Sequence, residues 1–293
     1  MSSQERIPSI IYQLSLAAKQ ASQLNVARVV LLSAGLGHHD ISDADAGGKP
    51  TLNVFKEDQR TVKQLHVLFK KLALTGVTAT INTLRPKDWL TRWKDHWKPA
   101  RLTAKLDVVP VWYKDQYKIK AGRDYILMDT LLSFGTGLHE TTQIMAQFIE
   151  DNAGQYRSFL DIGTGTGILA IVAIKNGAKD VCAVDIGELS VSAAKDNMKV
   201  NGVKATVKLA DIKTLVLGKK YDFVAANLIT HDLIAHAPQI LKFLKPGGLL
   251  AISGISLENL DKLNKVFKAL PIKLLETVKG QTWSGQLYVK KMF

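Results

Sequence analysis

The sequence holds a single cysteine, Cys182, so it can close no internal disulfide and build no cysteine-rich zinc site. It has no run near the ~18 uninterrupted apolar residues that a membrane-spanning helix needs. The opening residues, MSSQERIPSI, carry an early acid and no apolar core segment, which argues against a secretory signal. Arginine-rich tracts, runs of five like charges, internal repeats and low-complexity segments are also missing. What is present is globular: 46% hydrophobic and 22% charged residues over 293 positions exclude a wholly disordered chain. That length suits about two domains. The composition predicts a cytoplasmic protein.

Against 26 Asp plus Glu stand 39 Lys plus Arg, a net charge of +13. The excess sits at both ends, +6 over residues 1–98 and +7 over 151–293, with a neutral stretch between them. It points either to a generally basic solvated surface, which the lysine bias favours, or to proximity to RNA.

Residues 9–17 read as a strand, 17–27 as a helix, 28–34 (RVVLLSA) as a strand and 35–50 as a polar, glycine-marked loop. TLNVF at 51–55 reads as a third strand. Glu57 to Leu74 has helical apolar spacing with Asp58 near its start, and VTATINTL at 77–84 alternates like a strand. The order β-α-β-β-α-β predicts a small ferredoxin-like α+β domain over residues 1–85. A linker at 86–130 follows. On a helix its Trp89, Trp93 and Trp97 would share one face, as a packing stripe or as a base-stacking platform.

From Arg157 strands alternate with helices, which gives a parallel sheet covered on both faces. Strands are predicted at Ser158–Ile162, Val181–Asp185, Ala205–Leu209, Asp222–Asn227 and Gly248–Ser253, with helices at 167–176, 188–201 and 230–243. A helix at 256–269 and strands near 272–279 and 283–290 close the chain.

The chemistry concentrates in Asp161-Ile162-Gly163-Thr164-Gly165-Thr166-Gly167, a glycine turn between a strand and a helix. Such a turn lies at the carboxyl edge of the sheet, where small ligands bind. Asp185 ends the next strand, placed to accept both ribose hydroxyls of an adenosine group. A dinucleotide and S-adenosylmethionine both fit that pattern. Asp161, two residues before the first glycine, suits a cationic methionyl group better than a pyrophosphate, although it could instead form the turn. Asp211 follows the third strand, as an adenine contact or a helix cap. Asn227 ends the fourth, as an amide that orients a nitrogen nucleophile or as an ordinary turn residue. His139 has no second His or Cys at ligand spacing, so it shapes a pocket wall rather than holding a metal. His38 and His39 lie in the polar loop.

Upstream of the turn, Phe134-Gly135-Thr136-Gly137-Leu138-His139-Glu140-Thr141-Thr142 resembles the signature of the ribosomal protein L-eleven methyltransferases (PrmA type). So do KDWLTRWKDHWKP at 87–99, GILAI at 167–171, ANLI at 226–229 and LKPGGLLAISGI at 244–255. The likeness covers residues 85–293, about 70% of the chain. It implies a doubly wound, Rossmann-like class I methyltransferase domain over 131–293 that uses S-adenosylmethionine. Residues matching Thr142, Gly163, Asp185 and Asn227 hold the cofactor in that family. Phe134, Gly135 and Thr136, with Asp161, Gly165 and Asp211, would complete the pocket. The implied reaction is methylation of lysine or α-amino groups of the large-subunit ribosomal protein L-eleven. The chain is also expected to be a monomer, and its charge fits proximity to ribosomal RNA. A eukaryotic group that methylates mitochondrial lysines shares this core, so the core alone does not name the substrate. The N-terminal module, which recognises the substrate in the family, keeps the element order but little motif identity.

Two rivals remain. An RNA methyltransferase would use the +13 charge, but ANLI replaces the Asn-Pro-Pro-Tyr/Phe type that stacks a flipped base. A non-catalytic ribosome-binding factor is disfavoured by the intact glycines and Asp185.

Overall fold

A computed structural model describes residues 11–36, 41–45, 49–56, 58–84, 97–129 and 137–292. The chain divides into two compact units, Met1–His96 and Trp97–Phe293.

The first unit runs β1 (Ile11–Ala18), α1 (Leu24–Ser33), β2 (Ile41–Asp45), β3 (Pro50–Lys56), α2 (Gln59–Leu72) and β4 (Val77–Leu84). Its sheet has the order β2-β3-β1-β4 with every pairing antiparallel, the ferredoxin-like arrangement. The element order is the predicted one, yet one strand sits elsewhere. Residues 28–33, expected as a strand, continue α1, and the true second strand falls within the stretch expected to be loop. The reason is spacing. Leu24, Ala27 and Leu31 are buried, three and four apart, while Val26 and Val29 are 56% and 62% exposed. A valine run read for its β-propensity was obeying a helical period. Asp58 caps α2 by accepting the Arg60 and Thr61 amides at 3.0 and 2.9 Å.

The second unit opens with a three-stranded sheet, β5 (Ala100–Arg101), β6 (Leu106–Pro110) and β7 (Asp124–Met128), where a linker was expected. Asp107 on β6 accepts from Arg123 and Tyr117, and the Arg123 guanidinium holds its carboxyl below the usual range. Of the tryptophan stripe only Trp97 is among the described residues. It is buried, edge-on to Trp112 with centroids 5.3 Å apart. Then come α3 (Glu140–Asp151), β8 (Ser158–Ile162), α4 (Ile168–Lys175), β9 (Asp180–Asp185), α5 (Glu188–Val200), β10 (Thr206–Leu209) and β11 (Tyr221–Asn227). The chain continues through α6 (Thr230–Lys242), β12 (Leu244–Ser256), α7 (Leu260–Phe267), β13 (Ile272–Lys279) and β14 (Trp283–Lys290).

These strands form one seven-stranded sheet, β10-β9-β8-β11-β12-β14-β13, in which only β14 runs against its neighbours. The chain winds outward from β8 to β10, then returns to the other side of β8 with β11. That reversal opens a crevice at the carboxyl ends of β8 and β11. Burial explains why the central strands read as near-continuous apolar runs: all five residues of β8 are buried, as are Phe223 to Ala226 on β11. Two asparagines, one on α5 and one at its C-terminal cap, fix the path toward the crevice. Asn201 exchanges bonds with both backbone groups of Leu127. Asn197, fully buried, accepts from the Asp129 amide at 2.7 Å and donates to Thr166 O at 2.9 Å.

At the opposite end of the sheet, Asp222 accepts from Arg157 N, Ser158 N and Ser158 Oγ at 2.8–3.0 Å and pairs with Lys245. Partial burial alone would raise its carboxyl, but the Lys245 and Ser158 donors outweigh that and hold it far below the usual carboxylate range. A depressed folded pKa contributes stability above the unfolded value of about 4, and that contribution fades as pH falls further. Asp222→Asn should therefore cost about 1–3 kcal/mol at pH 7. Urea unfolding at pH 7 and pH 3 should show the gap to wild type narrowing in acid.

Candidate functional site

The crevice is built around the glycine turn. Gly163 and Thr164 both donate to Val184 O, at 2.9 and 3.0 Å, which bends the chain sharply off the end of β8. Gly163, Gly165 and Gly167 have φ of +72°, +52° and +79°, a region that side chains disfavour. Two of these positions are also closed to a Cβ. One at Gly163 would lie 2.5 Å from Leu228 Cδ2, and one at Gly167 3.1 Å from the backbone of Ala194 on α5.

Asp185 joins the turn to the next strand. Its carboxylate accepts Gly165 N at 2.8 Å and Gly187 N at 2.9 Å, one oxygen each. A carboxylate has about four acceptor sites, so capacity remains for a ligand. Gly163, Gly165, Asp185 and Asp211 together line a cavity of about 320 Å³, with Ile186, Ile212 and Leu228 as apolar walls. Asp211 is no helix cap: it forms a local turn, accepting Lys213 N at 2.8 Å. Asp185, Asp211, Asp232 and Lys213 are the fixed charges in the lining. Three carboxylates against one ammonium disfavour a pyrophosphate and are compatible with a ligand that carries a cationic group.

Asp161 lies beneath the turn rather than in the cavity lining, and it is fully buried. One oxygen accepts Thr164 Oγ1 at 2.6 Å; the other has no hydrogen bond of normal geometry. Burial, with a smaller contribution from Asp185, pushes its carboxyl up to about 7, against weaker stabilisation by Thr164 and the Ala170 amide.

The third component comes from α3. His139 caps the helix through Nδ1, and Glu140 accepts the backbone amides of Gln281, Thr282 and Trp283. Burial alone would raise the Glu140 carboxyl, yet those amides hold it below its ordinary value. Burial lowers the His139 pKa, so the ring is neutral near pH 7. Among the described residues no His, Cys, Asp and Glu cluster could hold a metal ion. Asn227, at the end of β11, donates from Nδ2 to Thr141 Oγ1 at 3.2 Å. Thr142 is buried and its Oγ1 has no partner among the described residues.

Of the residues singled out in the sequence, the structure thus gathers Gly163, Gly165, Asp185 and Asp211 on one cavity and sets Asp161 below it. Asn227 and Thr142 do not line that cavity. Phe134, Gly135 and Thr136 lie outside the described residues, as do Trp89, Trp93, His38 and His39. The sequence reading missed Thr141 and Asn197 as polar partners, and Ile186 and Leu228 as walls. Ile186 and Leu228 could have been found, since each directly follows a singled-out strand-end residue.

Comparison with known proteins agrees with this geometry. The profile of the family described as "Ribosomal protein L11 methyltransferase (PrmA)" matches residues 15–291. A ribosomal protein L11 methyltransferase of Geobacter metallireducens is 36% identical over 212 residues, 71% of this chain and 68% of the relative. One from Limosilactobacillus fermentum is 30% identical over 254 residues, covering 85% and 79%. The crystal structure of a ribosomal protein L11 methylase from Lactobacillus delbrueckii subsp. bulgaricus superposes with a TM-score of 0.62 at 30% identity, covering 67% of this chain and all of that one. A profile match that spans both units, with the predicted glycine turn and acids on one cavity, places the chain in the ribosomal protein L11 methyltransferase (PrmA) family.

Proposed function

We propose that this protein transfers methyl groups from S-adenosylmethionine to lysine or α-amino groups of ribosomal protein L11, as a cytoplasmic monomer working close to ribosomal RNA. The observation that carries the reading is the acid-lined cavity over the glycine turn, with Asp185 bonded to both flanking glycine amides. No described helix is long and apolar enough to cross a membrane.

The residues present fit the cofactor. The buried Thr142 hydroxyl lacks a partner among the described residues, and Gly163 and Gly165 keep the backbone at the cavity free of side chains. Asp185 would take the ribose hydroxyls, Asp211 the adenine end between Ile186 and Leu228, and Asp161 would balance the cationic methionyl end through the turn. Asn227, Thr142 and the Phe134–Gly135–Thr136 segment would wall the reacting centre. When bound, S-adenosylmethionine supplies an electrophilic methyl on a cationic sulfur. The protein's part is to hold a neutral amine about 3–3.5 Å from that carbon, in line with the departing sulfur. A lysine with a free pKa near 10.4 must shed its proton first, which a dry wall of uncharged amide and hydroxyl groups favours. Asn227 offers an acceptor for the amine N–H without adding charge. Residues 1–85 would read the substrate.

Asp185→Ala should weaken S-adenosylmethionine binding by about 1–3 kcal/mol in titration calorimetry, as hydroxyls lose a charged acceptor. Unchanged affinity would remove the ribose assignment.

Asp161 gives an opposed pair of effects. A carboxyl whose folded pKa is raised to about 7 lowers stability as pH climbs from the unfolded value, near 4, through 7. Asp161→Asn should raise the Tm of the free protein at pH 8 by a few degrees, yet weaken cofactor binding. A variant that loses stability at pH 8, or binds the cofactor as wild type does, contradicts the assignment.

A fragment beginning at Trp97 should still bind S-adenosylmethionine, because the proposed contacts all lie within 134–227. Tritiated-methyl transfer to L11 should fall steeply, since docking sets the effective concentration of the target amine. Full transfer by the fragment would show that the first unit is not the substrate reader.

A further inference from the structure

We infer that Thr141 and His139 are positioning residues that fix which end of the Asn227 amide faces the reacting amine. The inference rests on the assignment of Asn227 to that amine. It follows from counting donors. His139 Nδ1 accepts the Thr141 backbone N–H at 3.3 Å, so that nitrogen carries no proton. The Thr141 hydroxyl lies 2.8 Å from the same nitrogen and must therefore be the donor in that contact. With its one hydrogen committed, Thr141 Oγ1 can only accept from Asn227, at 3.2 Å. The Asn227 amide is thereby oriented: Nδ2 is turned to the helix, and Oδ1, with no partner among the described residues, is left as the acceptor.

The framework behind this relay is stiff. Thr141 is buried in the first turn of α3. The His139 ring packs edge-on to Trp283, with centroids 5.7 Å apart. Glu140, between them in sequence, is locked by three backbone amides of the 281–283 segment, where a Cβ on Gly280 would meet Glu140 Oε1 at 1.9 Å. Burial keeps His139 neutral, as its accepting role requires.

The chemical consequence is direction. An amine attacking a methyl carbon must aim its lone pair at that carbon, so its N–H bonds must be held from the side. A carbonyl oxygen can accept one of them; an amide NH2 cannot, and would instead compete for the lone pair. An Asn227 free to flip would spend part of its time in the unproductive orientation.

The test compares Thr141→Val, which keeps shape but removes the hydroxyl, with Thr141→Ser, which restores it. In Thr141→Val, kcat for tritiated-methyl transfer to L11 should fall about 10- to 100-fold. The KM for L11 should stay within twofold, and Thr141→Ser should recover most of kcat. A second readout needs no substrate. The side-chain amide signals of Asn227 in the 15N-labelled protein, identified by their loss in Asn227→Asp, should move in Thr141→Val and return in Thr141→Ser. Wild-type kcat in Thr141→Val, a serine variant as slow as valine, or an unmoved amide signal overturns the relay. Asn227→Ala with wild-type kcat would instead sink the assignment of Asn227, and the relay's purpose with it. A wild-type protein inactive on L11 would refute the substrate reading, and the amide signal would then judge the relay alone.

Discussion

The ligand edge of the catalytic unit depends on one carboxylate. Asp185 is where two loops from two strands meet, and each sends it a backbone N–H, from Gly165 and from Gly187. Backbone amides at a tight turn have no helical partner, and burying them unpaired costs free energy. A strand-end acid satisfies both and fixes the distance between β8 and β9 at the cavity floor. That also explains why glycine recurs around it. A Cβ on Gly187 would come within 3.3 Å of the same carboxylate, and Gly163 and Gly167 are closed in by Leu228 and Ala194. The acid and the glycines are one construction, and a substitution at any of them moves the others.

Electrostatics at the site run against those of the chain. The protein carries +13 overall, yet its cavity presents three carboxylates with a fourth, Asp161, buried below. A fully buried carboxyl with one hydrogen bond is a poor way to stabilise a fold, and its raised pKa records that cost. Such strain is most readily understood at a place where a cationic ligand relieves it.

Much of the second unit was legible because each element there obeys one period. The apolar strands of a sheet covered on both faces, the glycine turn and the strand-end acids all express themselves within a few residues. The first unit was harder. At 28–33 a run of valines and leucines satisfied two templates, and only the burial of Leu24, Ala27 and Leu31 decides for the helix. The second strand, ISDAD at 41–45, has too little apolar content to announce itself; it exists because Ile41 pairs with Val54 on β3. Residues 100–128 read as linker because short strands tied by Asp107 and Arg123 leave no periodic signal. The polar partners were out of reach for a further reason. Asn227 with Thr141, 86 residues apart, and Asn197 with Asp129, 68 apart, are products of the folded topology.

Charge also constrains how a protein substrate can be recognised. A ribosomal protein is itself basic, so long-range attraction to a +13 enzyme is absent and net charge slows the encounter. Recognition must then come from short-range contacts. On the first unit, the sheet face turned away from the helical core carries Gln13, Ser15, Asn53, Thr80 and Asn82, none of them charged. Gln13 and Asn53 are joined at 2.7 Å, and Asn82 donates to Gln13 at 3.2 Å. Amide and hydroxyl groups held in such a ladder can donate and accept without repelling a cation. Four basic residues of that unit, Arg60, Lys63, Lys70 and Lys71, lie together on α2, so the uncharged sheet face and the charged helix suit partners of different chemistry.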